Sequence, residues 1–80
     1  MAKYRKIPVV VEAVRYFGAN DEEIFSFSGD KVRVGNDSLI VPTLSGDVKL
    51  RRGWWLLKGV DGELYPCEPG IFEKTYEKVE

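Results

Sequence analysis

Eighty residues make one small domain, 1–80, with 12 basic and 13 acidic side chains and a formal net charge of -1. That balance excludes bulk attraction to duplex nucleic acid or anionic membrane, and 44% hydrophobic residues exclude a disordered chain. One cysteine and no histidine exclude an internal disulfide and the usual zinc ligand sets, so self-association into a homo-oligomer is the expected support for so small a core.

Lys3, Arg5 and Lys6 form a basic, solvated lead-in. No apolar run of signal-peptide or membrane length follows, because Glu12 and Arg15 interrupt the valines. The expectation is a soluble, intracellular chain with a reduced thiol. Residues 7–17 are rich in β-branched side chains and predict a first strand with apolar residues on both faces, hence covered on two sides.

Asn20-Asp21-Glu22-Glu23 predicts a helix start, with Asn20 capping free amides and acids filling the positive first turn. Ile24, Phe25 and Phe27 supply its apolar side and Gly29 its stop. A helix this short forms only when docked on a sheet. From Lys31 onward, short strands alternate with turn residues: 31–34, 39–43, 47–51, 54–59 and 63–67. Residues 68–72 read as a turn or single helical turn, and the alternation of 75–79 as a last strand. The predicted fold is α+β: a small, twisted, mainly antiparallel β-meander, able to curl toward a barrel, with one short helix after the first strand. Trp55, Leu57, Leu64, Val9, Val11, Ile24 and Phe27 are its expected core.

Asp61-Gly62 between two apolar runs is a strong hairpin signal. As a two-residue loop it sets Lys58 opposite Tyr65, Leu56 opposite Cys67 and Trp55 opposite Glu68. Leu56, Lys58, Tyr65 and Cys67 then share one face, and Trp55, Leu57 and Leu64 the other. In that register Lys58 lays its stem on Tyr65 and reaches Glu63, or else binds an anion. Cys67 reads as a small hydrophobe, since nothing nearby can act as its base.

Trp54 points opposite Trp55 and follows Lys49, Arg51 and Arg52. Three readings stay open for it: a subunit interface, ordinary core, or a platform on which a base stacks while the cations hold its phosphate. Enzyme signals are poor: no histidine, no phosphate-cradling glycine loop and no metal-ligand spacing. The chain is expected to be non-catalytic and to use no cofactor or metal.

The run KGVDGELYPCEPGIFEKTYE, residues 58–77, resembles a family of small, mostly uncharacterised bacteriophage and prophage proteins with the pattern K-G-x-x-G-E-x-Y-P-C-x-P-x-I-F-x-x-T-Y-E. The lead-in YRKIPVVVEAVRY is similar to that family's opening segment. Two departures stand out. Trp54 occupies a position often acidic in the family, and Arg15 a position often Gln, so this chain is locally more aromatic and more basic. The resemblance implies a phage protein acting in the host cytoplasm. With Arg51, Arg52, Trp54, Lys58 and Tyr65 as ligand-binding candidates, the expected function is capture of a nucleotide signal to blunt host defence. The alternatives are inhibition of a host protein, or a minor structural or housekeeping role.

Overall fold

The computed structural model describes residues 1–5 and 7–79. The chain runs β1 (Glu12–Arg15), α1 (Asp21–Phe27), β2 (Arg33–Val34), β3 (Leu39–Thr43), β4 (Gly46–Leu50), β5 (Trp55–Lys58), β6 (Leu64–Cys67) and α2 (Pro69–Thr75). The strands form two antiparallel three-stranded sheets, ordered β1-β5-β6 and β2-β3-β4. The fold is α+β and mostly antiparallel β as expected, but the single meander is replaced by two sheets, with no closed barrel. The division falls at residues 51–53. There the chain leaves β4 and turns, and the Gly53 amide donates to the Tyr16 carbonyl at 2.6 Å, which hands β5 to β1.

The first strand is shorter than expected, 12–15 rather than 7–17. Among the described residues its strand partner is β5, and Glu12 already lies opposite Lys58, where β5 ends. Residues 7–11 therefore pair with no strand among the described residues. Val9, expected in the core, is 51% exposed, and Val11 is half-buried. Lys6 of the lead-in lies outside the described residues.

Tyr16, Ile24, Val32, Leu39, Val41, Leu50, Leu56 and Leu64 form the buried core, with Val14, Phe25, Phe27 and Trp54 packed against it. Helix α1 contributes Ile24, which is completely buried. Asn20 does not cap the helix as expected. Its Nδ2 donates to the Arg15 carbonyl at 2.8 Å and to Glu23 Oε1 at 2.7 Å, and its Oδ1 accepts from the Phe17 amide at 2.7 Å. Asn20 thus fastens the end of β1 to the start of α1.

Leu56 and Leu57 point to opposite faces of β5, yet both are fully buried. The Leu56 side looks into the core, and the Trp55–Leu57 side receives α2. Phe72 of α2 stacks on Trp55 at 4.1 Å between ring centroids, and Tyr76 follows on Phe72 at 5.2 Å. Residues 68–72 were expected as a turn or single helical turn and 75–79 as a strand; the helical alternative is the one present, extended into helix α2 through Thr75, and 76–79 form no strand. Pro69 suits the first helical position, and the four-residue spacing of Phe72 and Tyr76 places both rings on one side of a helix.

Candidate functional site

The hairpin loop decides which side chains meet. The Gly59 amide donates to the Glu63 carbonyl at 2.9 Å and the Gly62 amide to the Gly59 carbonyl at 3.0 Å. The loop is therefore the three residues Val60, Asp61 and Gly62, one more than expected. Gly62 sits at φ +82°, the left-handed position such a loop needs. Glu63 folds back so that its Oε2 accepts from the Asp61 amide at 3.0 Å, and the expected Lys58–Glu63 ion pair is not among those of the described residues.

One extra loop residue moves every β6 side chain to the other face relative to β5. Lys58 lies opposite Leu64, Leu57 opposite Tyr65, Leu56 opposite Pro66 and Trp55 opposite Cys67. The expected Lys58–Tyr65 contact is lost. Lys58 instead holds its Nζ 4.5 Å from the Phe27 ring centroid, a cation–π contact on the α1 side. Tyr65 belongs to the α2 side, where burial, and then the neighbouring Tyr76 hydroxyl, push its phenol up to about 12. Cys67 also lies on that side, half-buried, with its thiol raised by burial and by Glu68. A thiol pushed that way stays protonated and unreactive.

The five sequence candidates therefore do not form one cluster. Trp54 precedes β5, points away from Trp55 as expected, and packs half-buried against the core. Three strand residues separate it from Lys58, a distance of about 13 Å along the chain. Its indole borders an open groove of about 330 Å³ with Leu44, Val48, Leu64 and Pro66, in which Glu63 is the only charged lining residue among those described. Tyr65 also borders this groove; Arg51, Arg52 and Lys58 do not.

Arg51 and Arg52 are exposed in the turn between β4 and β5, closed by the Trp54 amide donating to the Arg51 carbonyl at 3.0 Å. That turn abuts the end of β1, and there two residues outside the candidate set appear. Arg15 Nε donates to the Gly53 carbonyl at 3.0 Å, which holds its guanidinium 5.9 Å from the ring centroids of both Phe17 and Trp55. Phe17 is 62% exposed. The Arg52 guanidinium lies directly over Gly18: a Cβ there would meet Arg52 Nε at 2.5 Å. Gly18 has φ +89°, so both backbone and space call for glycine. Among the described residues the ion pairs are Arg33–Asp47 and Lys49–Asp37, so Arg15, Arg51 and Arg52 carry no carboxylate partner.

This corner thus offers partnerless guanidinium groups beside an exposed aromatic ring. It is built from residues distant in sequence, which the Gly53–Tyr16 hydrogen bond brings together. Arg15 was marked in the sequence only by its basic character, and Phe17 was hidden in a run read as strand. Chemically, guanidinium forks hold carboxylates or phosphates, and an exposed ring stacks on a planar group. Among the described residues no group of three or more His, Cys, Asp or Glu is placed to hold a metal ion, and no helix is long and apolar enough to cross a membrane. No protein-family model, curated protein or solved structure matches the chain.

Proposed function

We propose that this is a non-enzymatic binding protein that captures a small anion with a planar ring, of nucleotide type. The observation that carries this reading is the corner where Arg15 and Arg52, without carboxylate partners, flank the exposed Phe17. Phosphate would take the guanidinium groups and a base would stack on the ring. Arg51 adds charge from the same turn, while Trp54, Lys58 and Tyr65 leave the ligand set. The C-terminal motif, with its likeness to phage proteins, supports a setting in which such capture sequesters a host nucleotide signal. Titration calorimetry with a panel of cyclic and linear nucleotides tests the reading. Binding that is lost in Arg52→Ala and Arg15→Ala supports it, and no heat at high micromolar concentration overturns it.

A second reading, inhibition of a host protein, draws on the apolar groove beside Trp54. Trp in a desolvated surface depression is a common interface anchor. A host protein recovered by the tagged chain, and lost with Trp54→Ala, would favour it over nucleotide capture.

A further inference from the structure

Resting on nucleotide capture as the function of the Arg15–Phe17–Arg52 corner, we infer that its ligand is a linear nucleotide with one base and at least two phosphate groups. A nucleoside 5′-diphosphate is the smallest member of that class, and cyclic mononucleotides and cyclic dinucleotides fall outside it. Two features of the corner set the class: which ring is open, and how the guanidinium groups are held.

Of the rings around Arg15, Phe17 is the open one. Tyr16 is buried in the core. Trp55, which Arg15 also approaches, is covered by Phe72, stacked on it at 4.1 Å. Trp54 packs against the core from the opposite face. Phe17 remains, 62% exposed, with the Arg15 guanidinium 5.9 Å from its centroid. One open ring stacks one base. The second base of a cyclic dinucleotide would meet no comparable platform at this corner, and its stacking would add no affinity.

The guanidinium groups are separate forks. Arg15 enters from β1, and its Nε is engaged by the Gly53 carbonyl at 3.0 Å, which leaves its two terminal nitrogens for a ligand. Arg52 enters from the turn after β4 and lies over Gly18. Held at different points of the backbone, each fork takes its own phosphate. Arg15, beside Phe17, takes the phosphate next to the ribose, and Arg52 takes the one beyond it. The acids at the start of α1, Asp21, Glu22 and Glu23, sharpen this requirement. The Tyr16 phenol is raised by burial and then by Asp21, and lowered by Arg52, so that carboxylate and that guanidinium act on one hydroxyl. Asp21 Oδ1 is itself buried without a hydrogen-bond partner. These carboxylates offset the long-range pull of the arginines on an anion. Affinity then comes from direct contact with the forks, and a ligand with one phosphate fills only one of them.

Calorimetry on the full chain tests this with probes that share adenine: the cyclic mononucleotide, the 5′-monophosphate, the 5′-diphosphate and the cyclic dinucleotide, alongside inorganic pyrophosphate. The diphosphate should bind at least about tenfold tighter than either single-phosphate probe, the gain of one charge-assisted fork. The cyclic dinucleotide should bind more weakly than the diphosphate. Arg52→Ala should erase the difference between diphosphate and monophosphate. Phe17→Ala should weaken the diphosphate about tenfold, to the level of pyrophosphate. Both side chains are exposed, so both variants should keep the circular dichroism of the original chain. Equal affinity for the diphosphate and the single-phosphate probes overturns the requirement for two phosphates while leaving nucleotide capture standing. A cyclic dinucleotide that binds tighter than the diphosphate overturns the single base, and pyrophosphate that binds as tightly overturns the role of Phe17. Heat from none of the probes overturns this ligand class and nucleotide capture together.

Discussion

Helix α2 holds to the sheet through very few atoms, and Phe72 is the one to remove. None of its residues is fully buried, and its seven residues are too short to be helical alone. Its anchor is the Trp55–Phe72–Tyr76 stack, with an interplanar angle of 9° at the first contact. Truncating a fully buried Phe to Ala costs about 3–5 kcal/mol; half-burial brings that to roughly 2 kcal/mol, and the lost ring stacking adds about 1 kcal/mol. A domain of this length has about 4–12 kcal/mol in total. Phe72→Ala should therefore lower the melting temperature by roughly 10–20 °C. Phe72→Leu, which keeps apolar area and loses the stack, should cost about 1 kcal/mol. In a Trp54→Phe background, Trp55 is the sole indole, and its emission should shift red in Phe72→Ala as the ring becomes wet. An unchanged melting temperature together with unchanged emission would refute the assignment of α2 as the cover of this face.

Ile24→Ala empties a completely buried position under α1 and should cost about 2–5 kcal/mol in chemical denaturation. Gly18→Ala should cost about 1–2 kcal/mol from its left-handed backbone, and by displacing Arg52 it should also weaken nucleotide binding in calorimetry. Gly62→Ala carries the same backbone penalty without touching Arg52, so its binding should be unchanged. Alkali should destabilise the fold. Tyr65 has a folded pKa of about 12, above its ordinary 10.0, and Tyr16 and Cys67 are raised in the same direction. For such groups the stabilisation is complete below the unfolded pKa and lost as pH rises through the folded one. Melting temperature should fall between pH 10 and 12, and Tyr65→Phe should flatten that fall.

The parts legible in the sequence were those set by local chemistry. Turn residues separated β3 from β4 close to where they end, the acidic run located α1, and Trp54 and Trp55 were correctly placed on opposite faces. What could not be read were pairings between distant segments. The length of β1 depends on where β5 stops, and only the partner's end at Lys58 leaves residues 7–11 uncovered. Helix α2 is hidden because the run 75–79 reads as an alternating strand, while the Phe72–Tyr76 spacing that counts is helical. Residue type alone points Asn20 to a cap, whereas its side chain clasps the end of β1.

The dispersal of the expected site comes down to one loop residue. Had Asp61-Gly62 closed the hairpin alone, Lys58, Tyr65 and Cys67 would share a face with Leu56. The three-residue loop, held by the Gly59–Glu63 hydrogen bond, sends Lys58 to Phe27 and Tyr65 to Tyr76. The same slip puts Cys67 opposite Trp55 and leaves the Trp55–Leu57 side needing a cover, which α2 supplies through Phe72. Sequence proximity then loses its value as a guide to the site, because cations near in the chain are split between two faces. The place where guanidinium groups meet an exposed aromatic is the corner fixed by Gly53 on Tyr16, and it gathers segments distant in the chain, as in the Arg15–Gly53 contact with its separation of 38. Binding at that corner should accordingly be insensitive to Lys58→Ala and abolished by Arg15→Ala. That pattern is opposite to what the linear cluster implies and directly readable by calorimetry.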